Sequence, residues 1–450
     1  MKQPSSILPA RDFRTVFAFC LVVLCFSLWG FANDVTNPMV KAFGRIYGLS
    51  NVQSSFVQLA FYGGYFVMAL PAALLNRKAG YRSGIMIGLF LFAFGNLLFY
   101  PGVKAGDYTA FLFAYFIMTC GLSFLETSAN PLVLSMGSRE NAAFRLNFAQ
   151  AFNPIGSLLG ILVSIQVVQK HLSPLTAPER AELPSSEASA LLARDLEVLS
   201  QPYIYLGFVL IAVLLLFYLF TRRAKFFARD TASGGIEDGD RIPPLKESFR
   251  ALTADRNYTR GVVAQFFYVG AQIMCWTFII QYGVRLFGSL GYPEAEAEIL
   301  SQQYNLVAMC LFCGARFIGT AFLRQMRPYK MLALLSAVAI GLLLVTICSL
   351  SMAGLWALVA VSGCMSIMFP TIYALALKRT AEHTPIGAAG LVMAILGGSL
   401  LPVLQAAVID LPATRFLPSV NLSFVIPLIS FAVILNYAFF SRRHHLPAAL

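Results

Sequence analysis

Twelve long apolar runs separated by short polar stretches make up most of this chain, at about 15–42, 53–75, 84–101, 108–136, 143–168, 202–221, 259–284, 299–323, 329–351, 354–377, 386–409 and 419–440. An α-helix needs about 20 apolar residues to cross a bilayer, so each run predicts a transmembrane helix. Strict alternation over segments of about ten residues, the mark of a membrane β-barrel, is missing. The first run has no small-residue cleavage site and leads straight into polar residues, which predicts a retained helix rather than a signal peptide. Residues 223–257 combine charge, Gly, Ser and Pro, and read as a cytoplasmic linker between two six-helix bundles, 1–222 and 258–450. The 169–200 stretch, rich in Ala, Glu, Leu and Ser, is a long outer loop expected to hold a short surface helix, and no function is read in it.

Composition agrees with that pattern. With 58% hydrophobic residues, 12% charged residues and a mean hydropathy of +0.71, the chain lies far outside the range of soluble domains. The fold class is therefore an all-α membrane protein of twelve transmembrane helices in two six-helix halves. Placement of the 33 Lys and Arg orients it. With the N-terminus inside, only Lys41, Arg45, Lys104, Lys170, Arg180, Arg194, Arg285 and Arg415 fall on outer ends, so the positive-inside rule puts both termini in the cytoplasm. The net charge of +12 would suit nucleic acid, but these cations lie on short inner loops, where they orient helices and meet anionic membrane lipid.

Cysteine and histidine exclude several chemistries. All eight cysteines fall inside predicted spans, where they read as small packing residues rather than disulfide partners. Cys310 and Cys313 form a C-x-x-C with no second pair or nearby His, so no metal site and no cofactor are expected. His171, His383, His444 and His445 lie in loops or the tail, which leaves proton handling to carboxylates. No nucleophile-and-base pair is visible, and no enzyme is expected.

Two carboxylates sit deep in apolar runs: Asp34 in LWGFANDVTNP and Glu126 in GLSFLETSANP. An acid in hydrocarbon is expensive, roughly 2.5 to 3.5 kcal/mol on insertion scales, and usually faces a bundle interior where it serves a function. Removal from water disfavours the charged form of a carboxyl, which suits such a group to carrying a proton with a substrate. A Glu permanently hydrogen-bonded to brace its helix is the plainer alternative. Around these acids the first span places Trp29, Asn33 and Asn37 four residues apart on one face, with Asp34 a turn from Asn37. An aromatic plate beside amides suits a sugar, whose C–H face stacks while its hydroxyls need donors and acceptors. Packing or interfacial anchoring is the other reading of Trp29. Asn130 lies one turn beyond Glu126.

On the fifth span Asn147, Gln150 and Asn153 recur every three residues, a polar stripe that lines a cavity or bonds across helices. Gln265, Tyr268, Gln272 and Trp276 follow helical spacing on the seventh span and would supply the opposite wall, or packing. A weak internal repeat accompanies them. Basic inner loops recur at NRKAGYRSG and LRQMRPYK, and prolines recur at Pro131 in the fourth span and Pro370 in the tenth, which predicts interrupted helices in matched positions around a central site.

These words, in order, carry a resemblance. LWGFAND, AFYGGYF, GLSFLETSANP, FRLNFAQAFNPIG, AQFFYVGAQIMCW and ARFIGT resemble the fucose-galactose-glucose:proton symporter branch of the major facilitator superfamily, over about residues 25–400. The resemblance implies import of a monosaccharide such as fucose, a hexose or an amino sugar across the bacterial inner membrane, by alternating access and with protons. It implies sugar-binding roles for Gln150 and Asn153, and proton coupling with sugar contact for Glu126. Two departures stand out. The branch has its first-span acid at the position aligned with Asn37, whereas here the acid is Asp34, three residues earlier and about 5 Å along the helix. Asp34 and Asn37 oxygens would alternatively suit sodium as the coupling ion. In the loop after the second span, the superfamily's capping Asp and Arg are replaced by Asn76, Arg77 and Lys78. Arg77, Lys78 and Arg316 are expected to steady the inner helix ends as gating residues, although Arg316 near the inner face can also snorkel.

The expected function is thus a sugar symporter working as a monomer, with proton coupling preferred to sodium coupling or uncoupled facilitation. A drug exporter fits poorly with the amide stripe, and a sugar sensor fits poorly with the short tails.

Overall fold

A computed structural model describes residues 13–49, 51–137, 139–173, 175, 179–180, 182–222, 243–410 and 418–443, and among them every regular element is a helix. Eleven helices are long and apolar enough to cross a membrane. The helix Asn51–Leu97 holds the second and third predicted spans, broken at Gly80, whose φ of 76° and ψ of 164° leave the helical region. Glycine accepts that positive φ without a Cβ clash, and the break falls in the predicted NRKAGYRSG loop. The twelve predicted runs are therefore all helical.

We number the elements used below as α1 (Phe13–Tyr47), α2 (Asn51–Leu97), α3 (Phe99–Ala105), α4 (Tyr108–Ser135), α5 (Ala142–Gln150), α6 (Asn153–Val163), α7 (Ser185–Thr221), α8 (Leu245–Ala254), α9 (Arg256–Ser289), α10 (Glu294–Phe322), α11 (Pro328–Cys348), α12 (Met352–Met365) and α13 (Met368–Leu377). The outer-loop helix expected near 169–200 is continuous with the sixth predicted span, as α7. Asp195 at its buried face pairs with Arg180 and accepts from the Ser173 backbone N–H at 3.0 Å, which ties the loop down. Of the linker, residues 223–242 lie outside the described residues; α8 follows, and Asp255 caps α9 by accepting from the backbone N–H groups of Asn257 and Tyr258.

The matched interruptions expected at the two prolines are corrected by the structure. The tenth span breaks between α12 and α13, just before Pro370, but α4 runs unbroken through Pro131. A proline has no N–H, so it orphans the carbonyl four residues earlier. For Pro131 that carbonyl is Thr127, and Asn76 Nδ2 donates to it at 3.2 Å while Ser128 Oγ donates to Asn76 Oδ1 at 2.9 Å. A neutral side chain thus completes the ladder and the helix continues. For Pro370 the carbonyl is Ser366, and it accepts from Arg316 Nε. The chain has opened there far enough to admit a guanidinium. A second interruption, not anticipated, separates α5 from α6 at Ala151–Phe152, with Pro154 in the first turn of α6, where its missing N–H is harmless.

The chain packs as two compact units. The first contains the described residues to Val133 together with 152–222, and the second contains Leu134–Ala151 together with the chain from Pro243. Leu134–Ala151 carries α5 into the second unit. Within that unit Asn147 Nδ2 on α5 donates to Thr371 Oγ1 on α13 at 3.2 Å, and Arg324 lies 4.5 Å over the Phe144 ring. Large apolar side chains such as Phe90, Phe94, Leu215, Leu219 and Val403 are exposed, as lipid-facing positions require. Because lipid is as apolar as they are, close helix contacts use small residues instead.

Candidate functional site

In the first unit α1 and α6 approach at glycine. A Cβ on Gly156 would run into the Ser27 carbonyl, and one on Gly160 would meet that of Phe31. This approach lets Asn153 Nδ2 donate to the Phe26 carbonyl at 3.0 Å. Phe26 stacks on Trp29 with ring centroids 5.2 Å apart and planes 27° from parallel. Trp29 is half-buried. Asn33, one turn further along α1, is also half-buried, whereas Asp34 is buried. The side chain of Asn37 lies outside the described residues.

Glu126 lies on α4, which side-chain hydrogen bonds tie to α2. Ser123 Oγ donates to the Tyr65 carbonyl at 2.9 Å, and Asn76 Nδ2 reaches the Thr127 carbonyl at 3.2 Å. Glu126 falls between Ser123 and Thr127 and is only 2% exposed. Asn130, one turn on, is buried on the same helix. Among the described residues the ion pair is Arg180–Asp195, and Glu126 has no counter-charge. A carboxyl so placed is tolerated with a proton on it and expensive without one. Arg77 is half-buried and Lys78 exposed at the end of the first half of α2, but the basic residue with a defined partner there is Arg82, whose Nε donates to Thr221 Oγ1 at 3.0 Å.

The second unit collects the remaining predicted residues. The fifth-span stripe is divided by the break: Asn147 and Gln150 sit on α5, Asn153 on α6 in the other unit. Gln150 is buried, and its backbone carbonyl accepts from Arg316 Nη1 at 3.0 Å. Arg316 thereby holds two carbonyls, those of Gln150 and Ser366, while its guanidinium carbon lies 4.7 Å over the Phe312 ring. It is 4% exposed, so it does not snorkel. On α9 the Tyr268 hydroxyl donates to the Met365 carbonyl at 3.0 Å, and Trp276 Nε1 donates to Ser362 Oγ at 3.2 Å. The polar ends of these two are committed to α12. Gln265 is fully buried with neither amide atom partnered, and Gln272 is half-buried. Of the four α9 residues, the two glutamines therefore keep hydrogen-bonding capacity for a ligand.

Sequence reasoning passed over Asn76 as the partner of Thr127. A signal existed: Pro131 demands a donor for Thr127, although nothing in the sequence says which residue supplies it.

The sequence profile of the Major Facilitator Superfamily matches residues 18–402. The L-fucose-proton symporter of Haemophilus influenzae is 42% identical over 431 residues, covering 95% of this chain and 96% of the relative. The L-fucose-proton symporter of Escherichia coli is 32% identical, covering 95% and 94%. The crystal structure of the Major Facilitator Superfamily transporter FucP in the outward conformation superposes with a TM-score of 0.82 at 30% identity, covering 95% of this chain and 99% of that one. With this helical plan, these buried polar positions and these matches along almost its whole length, the chain belongs to the major facilitator superfamily, in the branch of the L-fucose-proton symporters, and is a multi-pass membrane transporter rather than an enzyme.

Proposed function

We propose that this protein is a secondary active transporter that carries a monosaccharide across the bacterial inner membrane together with a proton, by alternating access, as a monomer with both termini in the cytoplasm. The observation that carries the reading is Glu126, buried on α4 with no counter-charge among the described residues, in the same unit as the half-buried Trp29 and Asn33. The carboxyl takes up and releases the proton. In the first unit Trp29 offers a stacking face, Asn33 and Asn153 Oδ1 offer hydrogen-bonding groups, and Asp34 is a second acid besides Glu126; in the second unit Gln265 and Gln272 keep hydrogen-bonding capacity of their own. The names of the relatives favour L-fucose as the first sugar to try.

Uptake of radiolabelled L-fucose, galactose and glucose into vesicles tests this. An inward acid gradient should drive accumulation of at least one above equilibrium. Equilibration alone would indicate a facilitator, dependence on a sodium gradient would transfer the coupling to sodium, and no flux would reject sugar transport. Glu126→Gln should abolish gradient-driven accumulation, at least tenfold below wild type, and leave sugar exchange partly intact. Unchanged concentrative uptake would remove Glu126 from proton coupling.

A further inference from the structure

A chain of hydroxyls joins α4, α7 and α1 in the interior of the first unit. Tyr115 Oη on α4 donates to Tyr203 Oη on α7 at 2.9 Å, Tyr203 Oη lies 3.1 Å from Thr36 Oγ1 on α1, and Thr36 Oγ1 donates to the Ala32 carbonyl at 2.8 Å. A hydroxyl has one proton to give, so the carbonyl at the end fixes the direction of every bond, from Tyr115 to Tyr203, Thr36 and Ala32 in turn. All three hydroxyl residues are buried, and the Tyr203 ring lies flat on Phe99, with centroids 4.1 Å apart and planes 7° from parallel. A buried hydroxyl is expensive to leave without its partner, so the chain holds the three helices in one register.

This chain is the second grip on α1. The first is on α6, where the Ser27 and Phe31 carbonyls face Gly156 and Gly160 and Asn153 donates to the Phe26 carbonyl. Between Phe31 and Thr36 lies the turn with Asn33 and Asp34. Pro38 has no N–H and removes a rung from the helix ladder just past that turn, and a threonine bonded back four residues loosens and often bends a helix. The rotation of this part of α1 is therefore set from outside. Phe43 packs on Phe111 further along, with centroids 5.2 Å apart, but ring contact tolerates a rotation that a hydrogen bond does not. Side-chain ends lie about 5–6 Å from a helix axis, so a rotation of roughly 20° moves them by about 2 Å. We propose that Tyr203, backed by Tyr115, is a positioning residue: through Thr36 it fixes the rotation of the α1 turn that presents Asn33 to the sugar and keeps Asp34 in the interior. The sugar part of this rests on the reading of Asn33 as a substrate group.

The test uses the purified full chain with Tyr203→Phe, which keeps the ring on Phe99, or Thr36→Val, which keeps the side-chain shape. Either removes the bond between them, so one remains should the other not fold; Thr36→Ser keeps the hydroxyl. In an Asn33→Cys background, the rate of modification of that cysteine by a water-soluble maleimide reads the orientation of the turn with no sugar present. It should change roughly threefold or more in Tyr203→Phe and in Thr36→Val, and stay near the parent rate in Thr36→Ser. With Asn33 intact, calorimetry with L-fucose, D-galactose and D-glucose follows binding. For whichever sugar binds, affinity should fall roughly fivefold in Tyr203→Phe and in Thr36→Val and stay within about twofold of wild type in Thr36→Ser, as one lost buried hydrogen bond allows. The double variant should bind no more weakly than the weaker single, because the two changes remove one bond. Parent labelling rates in both variants, whatever their melting temperatures, would overturn the proposal and leave the chain a plain brace. Equal loss in Thr36→Ser would overturn it too, since the hydroxyl is then not the cause. Altered labelling with affinity unchanged, or with no sugar bound even by wild type, would uphold the positioning of the turn and reject the sugar reading of Asn33 instead.

Discussion

Two prolines in corresponding spans meet the same physical problem with different solutions. Pro131 and Pro370 each orphan a carbonyl inside an apolar bundle, where no water can satisfy it. In the first unit a neutral amide, Asn76, answers Thr127 and the helix stays whole. In the second a cation, Arg316, answers Ser366 and at the same time the Gln150 carbonyl at the end of α5, and the helix is broken. An amide repairs one ladder position. A guanidinium, with its fork of five donors, joins three segments at once, α5, α10 and the α12–α13 junction, and stakes more on one side chain.

The largest effect that sharpens this contrast is Arg316→Ala. It leaves two buried carbonyls without donors, at about 1–3 kcal/mol each, so a loss of about 3 kcal/mol is expected in thermal or denaturant unfolding of the detergent-solubilised protein. Adding Pro370→Ala restores a backbone N–H opposite Ser366 but nothing opposite Gln150, so only part of the loss should return. Full recovery would deny the Gln150 bond any weight.

Asn76→Ala comes next, with about 1–2 kcal/mol expected, since the Thr127 carbonyl loses its donor while the Ser128 hydroxyl keeps the Phe124 carbonyl as acceptor. Here Pro131→Ala should recover most of the loss, because Thr127 is the main debtor. If the two prolines rescue equally, the distinction between a one-site repair and a three-way clamp fails.

Asn153→Ala should be the mildest, about 1 kcal/mol for the bond to Phe26, together with weaker sugar binding. Lower stability with unaltered affinity, measured in the same preparations, would make Asn153 a brace between α1 and α6 and nothing more.

Much of this was legible in the chain, and the failures were specific. Twelve spans, their helical nature and the placement of two acids and a row of amides follow from apolar run length and spacing. The proline expectation failed at Pro131 because continuity there depends on Asn76, which lies 51 positions from Thr127 in sequence and one hydrogen bond from it in space. The fifth-span stripe was read as continuous, yet it breaks between Gln150 and Asn153, where one residue serves the second unit and the other braces α1. Tyr268 and Trp276 carried the right spacing but point their polar ends at α12.

The sequence by itself determined that this is a helical membrane transporter with buried carboxyls, because in hydrocarbon each segment must satisfy its own backbone and therefore declares itself by local hydropathy. Tertiary structure alone decided which carbonyls Arg316 and Asn76 serve and that α5 belongs with the second unit. Those pairings depend on the rotation and depth of each helix against its neighbours, which close contact at residues such as Gly156 and Gly160 sets and which no single segment encodes.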